Sequence, residues 1–430
     1  MFLGSETETT EGGEELTYKF GRKRQLSLSG THVDSHHTLP GIVRPAFLWP
    51  ALLVSLAGMI FLTPGRGWDA DVSYRAMQAL RAGQDPYVSV LALQQTAGQD
   101  VNRYVYPPAT LLALRAFNLA PAWAAAVLYW SLYTAACASL AWAAAKCFRP
   151  EDRPFMRCAI PLAAFFPGLM VGDAILSGNI ACIFHGLIFP AAFLGWKHGT
   201  WRWFYIAILF ASGFKLPLLT LLAIPLLAGE RQWLRAAAVA TAGIGFLALQ
   251  SWLWPILFHE YLANVGLCSF GSSPAGIVGL MLHRFNLPWY TPSVVAYLIC
   301  APVVFAILLR FSRLYAARRI SALSWIPVLL VGAVLLNPRI MQYDLLAITV
   351  PMVLIVLRSV VSYSKAGIAL AAAVVLLIAI DLAGLSPVRA DDLRNLLVLV
   401  AVVACGLHYL AVESKSSQKP LTARSEPEYQ

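Results

Sequence analysis

Long apolar runs dominate the sequence between residues 45 and 412 and determine the solvent in which the chain folds. Hydrophobic residues make up 59% of the 430 residues and charged residues only 13%, which is more apolar surface than a water-soluble domain can bury. Polar segments divide this stretch into runs that predict twelve membrane crossings: 45–63, 121–146, 157–171, 179–196, 203–214, 216–229, 236–256, 291–310, 321–336, 343–358, 366–383 and 393–412. The sequence therefore predicts an all-α polytopic membrane protein of about 12 transmembrane helices, with both termini on one side.

The distribution of positive charge predicts the orientation. In the twelve-span scheme, 22 of the 32 Lys and Arg residues lie on the side of the N-terminus. Because cytoplasmic segments are enriched in Lys and Arg, both termini are predicted to be cytoplasmic, in the inner membrane, with residues 65–106 in the periplasm. The asymmetry also explains the net charge of +10, so no nucleic acid is predicted as a partner. Residues 1–44 and 413–430 are predicted to be disordered cytoplasmic tails that flank one transmembrane domain, residues 45–412.

The same scheme places most of the remaining polar segments on the outer face. These segments are residues 65–106, 172–178, 257–288 and 337–344, together with Lys215. Segments that are scattered along the chain thus meet on one side of one bundle, which predicts a site that faces outward. Lys215 lies between two short apolar runs, 203–214 and 216–229, which predict either a pair of short helices or one broken helix.

Two carboxylates, Asp69 and Asp71, follow directly on the first apolar run. Asp69 lies beside Trp68 at the membrane edge, where a carboxylate is costly unless it has a function. Asp71 is explained equally well as a capping charge in a helix that begins near Val72. Lys215 is a functional candidate by default, because an ammonium group between apolar runs is expensive to bury.

These residue types suit sugar transfer from a lipid phosphate. A substrate at the outer face is out of reach of cytoplasmic nucleotides, which favours a lipid-linked donor over a nucleotide sugar. Transfer needs a carboxylate as general base and cations that stabilise the departing phosphate. Asp69 or Asp71 can act as the base. The candidates for the phosphate are Lys215, Arg339, Arg103 and Arg284, with His259 and His283 as helpers.

An ordered set of short motifs resembles a known family. The set comprises Asp69, Tyr74, Gly83-x-x-Pro86-Tyr87, Tyr106-Pro107-Pro108, Ser177-Gly178-Asn179, Lys215-x-Pro217, Arg231-x-Trp233, Asn337-Pro338-Arg339 and Tyr343-Asp344. This order resembles the GT-C superfamily of polytopic glycosyltransferases, specifically glycosyltransferase family 87, which includes bacterial polyprenol-phosphate-mannose-dependent mannosyltransferases. The resemblance covers about residues 45–410.

The resemblance implies a GT-C helical bundle whose periplasmic first loop, residues 65–120, carries the catalytic Asp and short interface helices. It implies inverting transfer of a hexose, mannose by family membership, from a polyprenyl-phosphate donor to a hydroxyl of a lipid or glycan acceptor. Asp69 matches the position of the family's base best, and Asp71 is second. The residues with implied substrate contacts are Tyr74, Tyr106, Asn179, Tyr343 and Asp344. The chain departs from the family pattern at Ser177-Gly178-Asn179, which lacks the usual Gln, and at Ser73, where an aromatic residue is common.

Two other classes of protein are weighed against a glycosyltransferase. A transporter or lipid flippase shares the layout of twelve spans, and Lys215 would then line the pathway, but the sequence shows no internally related halves. A structural assembly subunit leaves Asp69, Lys215 and Arg339 without a function. No cofactor is predicted, because no metal-ligand spacing appears. Other branches of the superfamily use a divalent cation, for which this chain offers only the pair Asp69 and Asp71.

Overall fold

The computed structural model describes residues 67–88, 104–115, 120–148, 176–267, 285–288, 290–361, 365–382 and 391–416, with a few pairs and single positions besides. All regular structure in these residues is helical, and they contain no strand. The predicted all-α class is therefore confirmed. Apart from single positions and one pair, the predicted spans 45–63 and 157–171 and the tail 1–44 lie outside the described residues. Residues 413–416, predicted to begin the disordered C-terminal tail, instead form the last turn of a helix that ends at Ser416, and residues 417–430 lie outside the described residues.

The helices are named here in chain order. They are α1 (Trp68–Arg81), α2 (Pro108–Leu114), α3 (Ala122–Ala145), α4 (Ile180–His198), α5 (Arg202–Ser212), a 3-10 helix (Leu216–Leu222), α6 (Ala223–Leu227), α7 (Trp233–Leu253), α8 (Pro255–Leu267), α9 (Tyr290–Ala316), α10 (Ala322–Leu335), α11 (Gln342–Leu346), α12 (Thr349–Val361), α13 (Lys365–Leu382) and α14 (Asp391–Ser416).

In the described part of the chain, five helices are long and apolar enough to cross a membrane. They are α3, α4, α7 and α9 over most or all of their length, and α14 from Asn395 to Ser416. Shorter apolar helices coincide with other predicted spans, among them α5, α10 and α12. The chain is thus a multi-pass membrane protein, and the number of twelve spans remains a prediction.

The predicted break beside Lys215 is present. The run 216–229 forms the 3-10 helix followed by the short helix α6, with Pro217 and Pro225 inside the two elements. Every residue of α6 is buried. Irregular backbone at membrane depth is tolerated where protein covers it, because lipid offers its polar groups no hydrogen bonds.

Close packing of α3 on α4 forms one side of the bundle. Gly186 permits this contact, because a Cβ there would lie 2.5 Å from the Cβ of Ala136. Pro190 has no N–H to bond the carbonyl of Gly186 four residues earlier. The hydroxyl of Ser139 on α3 donates to that carbonyl at 2.6 Å instead. The main apolar core continues from α4 through α5 and the 3-10 helix to α10, α12 and α14.

A second, smaller apolar cluster holds α1 and α2 in place. Its fully or largely buried members are Val72, Ala76, Tyr87, Tyr104, Tyr106 and Leu111, and Tyr261 of α8 packs against them. The cluster also contacts Ile180 at the start of α4. The two short helices that precede α3 are therefore packed against the end of the bundle where α4 begins.

Candidate active site

The beginning of α1 is bound to the segment that precedes α4. Gly67 has a left-handed backbone, and its N–H donates to the carbonyl of Leu176 at 2.7 Å. The N–H of Asp69 donates to the carbonyl of Ser177 at 3.0 Å. Helix α1 begins at Trp68, four residues before the start that the sequence predicted, so Asp69 and Asp71 both lie in its first turn.

A glycine is required where these two segments cross. Gly178 has a φ of +66°, and a Cβ there would lie 3.1 Å from the Cβ of Ala70 and 3.4 Å from the Cα of Gly67. A side chain at residue 178 would strain the backbone and push the start of α1 away. The conformation of Gly178 therefore determines how closely Asp69 approaches the next residue, Asn179.

The carboxylate of Asp69 is held through one of its two oxygens. Its Oδ2 accepts a hydrogen bond from the side-chain amide of Asn179 and another from the hydroxyl of Tyr106, the latter at 3.3 Å. Asn179 is itself held in place, because its Oδ1 accepts from the N–H of Ala181 at 2.8 Å and caps α4. The Oδ1 of Asp69 has no hydrogen-bond partner among the described residues.

Burial raises the pKa of Asp69 to about 6, since the side chain is only 8% exposed and loses its hydration. The charge of Lys215 opposes this rise in pKa, as do the hydrogen bonds from Tyr106 and Asn179. Arg339 also opposes it. Asp69 is thus ionised near neutral pH, yet it is more basic than an ordinary aspartate.

Lys215 is one of two cations whose charge acts on the carboxylate of Asp69. Its ammonium donates to the Oδ1 of Asp344 at 2.7 Å and lies 4.2 Å from the centre of the Tyr343 ring. The Oδ2 of Asp344 accepts from the N–H of Met341 at 3.0 Å, and the Nε2 of His185 lies 3.9 Å from its Oδ1. An ammonium group has three donors, so Lys215 can hold Asp344 and still bind an anion.

Arg339 supplies a second cation from the turn after α10. Asn337 shapes this turn, because its Oδ1 accepts from the N–H of Arg339 at 3.0 Å. The Nε of Arg339 is buried and has no hydrogen-bond partner among the described residues. Its charge acts on Asp69 and on Tyr343. A buried guanidinium N–H without a partner is costly, which makes it a candidate for binding an anionic ligand.

The structure brings together seven of the predicted site residues: Asp69, Tyr106, Asn179, Lys215, Arg339, Tyr343 and Asp344. Asp71 is separate from them, since its half-exposed carboxylate pairs with Arg75 at 2.7 Å. Tyr74 is partly exposed and lies about 140° around α1 from Asp69, and His259 is exposed. Arg103, His283 and Arg284 lie outside the described residues.

Some residues of the site were missed by the sequence analysis. The hydroxyl of Tyr129 on α3 donates to the carbonyl of Gly178, and Tyr104 lies beside Tyr106 in the aromatic cluster. Nothing in the sequence distinguishes these tyrosines from others near the membrane. His185 did offer a signal, because it is an isolated ionisable residue in an apolar run.

Metal ligands do not converge in the part of the chain that the structure describes. No three His, Cys, Asp or Glu side chains there are grouped so that they could hold a metal ion. Asp69 and Asp71, the pair named from the sequence, have different surroundings. Asp69 is bound by neutral donors, whereas Asp71 pairs with Arg75.

Comparison with known families gives a match over the middle of the chain. The sequence model of glycosyltransferase family 87 matches residues 104–338, which is more than half of the chain. No curated protein and no solved structure matches the chain. The matched residues include Tyr106, Asn179 and Lys215, whereas Asp69 and Asp344 lie outside them. The match favours an enzyme over a transporter, a flippase or a structural subunit. The chain belongs to glycosyltransferase family 87 and is a membrane glycosyltransferase.

Proposed function

We propose that this enzyme transfers a hexose, mannose, from a polyprenyl-phosphate donor to a hydroxyl of a lipid or glycan acceptor, with Asp69 as general base. One observation carries the proposal. The Oδ2 of Asp69 is held by Tyr106 and Asn179, while the Oδ1 has no partner among the described residues. A base needs one oxygen that is oriented and one that can accept a proton. A pKa of about 6 lets Asp69 be ionised near neutral pH and still attract that proton.

The departing phosphate is assigned to Lys215 and Arg339. Both cations act on Asp69, so a phosphate bound to them would lie close to the proposed base. Lys215 retains donors beyond its bond to Asp344, and the buried Nε of Arg339 has no partner in the described part of the chain. Cations at the leaving group stabilise the charge that develops there as the glycosidic bond breaks.

Asp344 is proposed to position Lys215 rather than to bind substrate itself. It is 1% exposed, and its two oxygens are bound to Lys215 and to the backbone of Met341. The choice of mannose and of a polyprenyl carrier derives from the family resemblance. Inversion at the anomeric carbon follows from the chemistry, since one base and a direct displacement form no covalent intermediate.

Transfer itself can be tested with the purified protein in lipid nanodiscs. Polyprenyl-phosphate mannose is supplied as donor and octyl mannoside as acceptor, and the anomeric configuration of the product is determined by NMR. We expect transfer with inversion. Nucleotide-linked mannose is the control donor. Transfer from that control alone would contradict the proposal, as would retention of configuration.

The assignment of Lys215 to the donor site is tested by measuring donor affinity and stability in two variants. Lys215→Met leaves Asp344 buried without a cation, so we expect it to cost about 3–5 kcal/mol of stability. The double variant Lys215→Met/Asp344→Asn removes both charges and should recover most of that stability. In both variants we expect donor binding to be weaker than in the wild type by roughly 1.5–3 kcal/mol, because one charge-assisted hydrogen bond is lost. Normal donor affinity in the stable double variant would remove Lys215 from the site.

Orientation follows from the distribution of basic residues, and we propose that the site faces the periplasm. Two exposed positions at opposite ends of the bundle test this, Gln78 on α1 and Lys197 at the end of α4. Each is changed to Cys in a chain without its seven native cysteines. An impermeant maleimide should label Gln78→Cys in intact bacterial cells and Lys197→Cys only after lysis. The reverse labelling pattern would show that the site faces the cytoplasm.

A further inference from the structure

The hydroxyl of Tyr104 has no function in the mechanism described so far. Tyr104 is fully buried, and its hydroxyl has no hydrogen-bond partner among the described residues. Its neighbour Tyr87 is equally buried, but the Tyr87 hydroxyl donates to the carbonyl of Tyr106 at 2.9 Å. Buried hydroxyl groups are normally paired, because an unpaired one loses its bonds to water without replacement. Tyr104 is thus an exception to this rule, whereas Tyr87, which is equally buried, follows it.

Tyr104 lies next to the proposed base. Its ring centre is 5.6 Å from that of Tyr106, whose hydroxyl donates to Asp69. Asp69 and Tyr261 both act electrostatically on the Tyr104 hydroxyl. Tyr261 is partly buried and packs against the same aromatic cluster. An unpaired donor therefore lies beside the carboxylate that is assigned to remove the proton.

The groups near Asp69 differ in charge. Tyr106, which binds the carboxylate, and the adjacent Tyr104 belong to the segment before α2 and carry no charge. Lys215 and Arg339 act on the carboxylate from the turns after α5 and α10. A direct displacement needs the attacking oxygen and the leaving phosphate on opposite sides of the anomeric carbon. If the phosphate binds the cations, the acceptor binds elsewhere, and the uncharged Tyr104 and Tyr106 are the groups left to contact it.

We propose, on the basis of the function assigned to Asp69 above, that the Tyr104 hydroxyl binds a second oxygen of the acceptor, adjacent to the hydroxyl that attacks. The attacking oxygen gives its proton to Asp69 as it bonds to the anomeric carbon and the bond to the phosphate oxygen breaks. A hydrogen-bond donor on that oxygen would draw electron density from it, lower its nucleophilicity and slow the reaction. A neighbouring oxygen carries no such restriction. The acceptor is therefore a polyol with adjacent hydroxyl groups, such as a sugar headgroup, and a simple alcohol is a poor substitute.

Thermal unfolding of Tyr104→Phe tests whether the hydroxyl is unpaired. We expect the melting temperature in detergent to equal or exceed that of the wild type, because no hydrogen bond is lost. Tyr87→Phe is the matched control and should melt at a lower temperature, since it loses the bond to Tyr106. An equal loss of stability in the two variants would overturn the proposal.

Kinetics with octyl mannoside and its monodeoxy analogues test what the hydroxyl binds. With polyprenyl-phosphate mannose as donor, we expect the wild type to prefer the parent over the analogue without the adjacent hydroxyl by about tenfold to a hundredfold in kcat/KM. Tyr104→Phe should lower kcat/KM for the parent to the level of that analogue and leave the analogue unchanged. Equal losses with both acceptors would overturn the assignment.

Failure of this inference and failure of the proposed function are distinguishable. Wild-type enzyme that glycosylates octanol as efficiently as octyl mannoside would refute the polyol acceptor alone, because transfer itself would still occur. Wild-type enzyme that transfers mannose from the lipid donor to none of these acceptors would refute the proposed function, and the assignment of Tyr104 would be refuted with it.

Discussion

The two ends of the helical bundle both bury charge, but they compensate it differently. At one end lie Asp69 and Asp344, which are 8% and 1% exposed, and at the other lies Arg358, which is 9% exposed. Around Asp69 the described residues leave several polar groups without partners, among them the Tyr104 hydroxyl and the Nε of Arg339. Arg358, in contrast, is bonded to the backbone of two other helical segments.

The bonds of Arg358 have a structural reason. Its guanidinium donates to the carbonyl of Leu323 at 2.5 Å and to that of Cys147 at 3.2 Å. Leu323 lies four residues before Pro327, which has no N–H to offer that carbonyl. Cys147 follows the end of α3, where carbonyls also lack partners within the helix. Arg358 therefore completes the backbone bonding of α3 and α10.

This difference indicates which buried charges stabilise the fold and which serve a ligand. A charge that the protein itself binds, as the backbone carbonyls bind Arg358, can be explained by packing alone. A charge that lies among unpaired donors and acceptors raises the cost of folding, and a ligand that fills those bonds would account for it.

The largest effect is expected for Asp69→Asn. The amide keeps the size of the carboxylate but cannot accept a proton, and the loss of a general base typically lowers the rate by about a hundredfold to ten-thousandfold. The raised pKa of Asp69 means that protonation stabilises the folded state. That stabilisation is present below the unfolded pKa of about 4 and is lost as the pH rises through about 6. We therefore expect Asp69→Asn to melt at an equal or higher temperature than the wild type near neutral pH.

Asp71→Asn is the matched control for that variant. Asp71 is half-exposed and pairs with Arg75 within α1, so we expect a change of less than about 1 kcal/mol in stability and a small change in rate. Transfer assays and thermal unfolding of both variants decide the matter. An inactive Asp71→Asn beside an active Asp69→Asn would move the base two residues along the chain.

At the opposite end, Arg358→Met should lower stability and not the rate of the folded enzyme. Two hydrogen bonds to a charged donor are lost, at about 1.5–3 kcal/mol each, so we expect a loss of about 3–6 kcal/mol. The measurement is thermal or denaturant-induced unfolding in detergent, combined with kcat per folded molecule. A folded, stable Arg358→Met enzyme with a low kcat would contradict this account, because it would show that Arg358 contributes to the rate and not to stability.

Two glycines with left-handed backbones provide a smaller contrast. At Gly178, before the beginning of α4, a Cβ would meet neighbouring atoms at 3.1–3.4 Å, whereas at Gly199, after the end of α4, it would meet none within 4 Å. Each Gly→Ala change costs roughly 1–2 kcal/mol for the backbone. Only Gly178→Ala should also lower kcat, by about tenfold, because it displaces Asn179 from Asp69. Equal kcat values in the two variants would contradict this account of Gly178.

Sequence reasoning predicted the all-helical class of the fold, and it named most of the residues that meet in the candidate site. Apolar runs predict helices well, because lipid leaves the backbone few alternatives, and polar residues between the runs had to converge if the spans were correct. The sequence did not reveal that Asp344 pairs with Lys215, or that Tyr106 binds Asp69, because these contacts join residues far apart in the chain. The start of α1 was misplaced, because two carbonyls outside the helix bind its first N–H groups.

The dependence of kcat/KM on pH tests most directly the central claim that ionised Asp69 is the base. Because the base must be deprotonated to act, we expect the rate to rise about tenfold per pH unit at low pH and to level off above an apparent pKa of about 6. The residual kcat/KM of Asp69→Asn should not show this rise with pH, while that of Asp71→Asn should show it. Two results would contradict the assignment of Asp69 as the base. One is a wild-type kcat/KM that does not change between about pH 4.5 and 8, and the other is the same rise of kcat/KM with pH in Asp69→Asn.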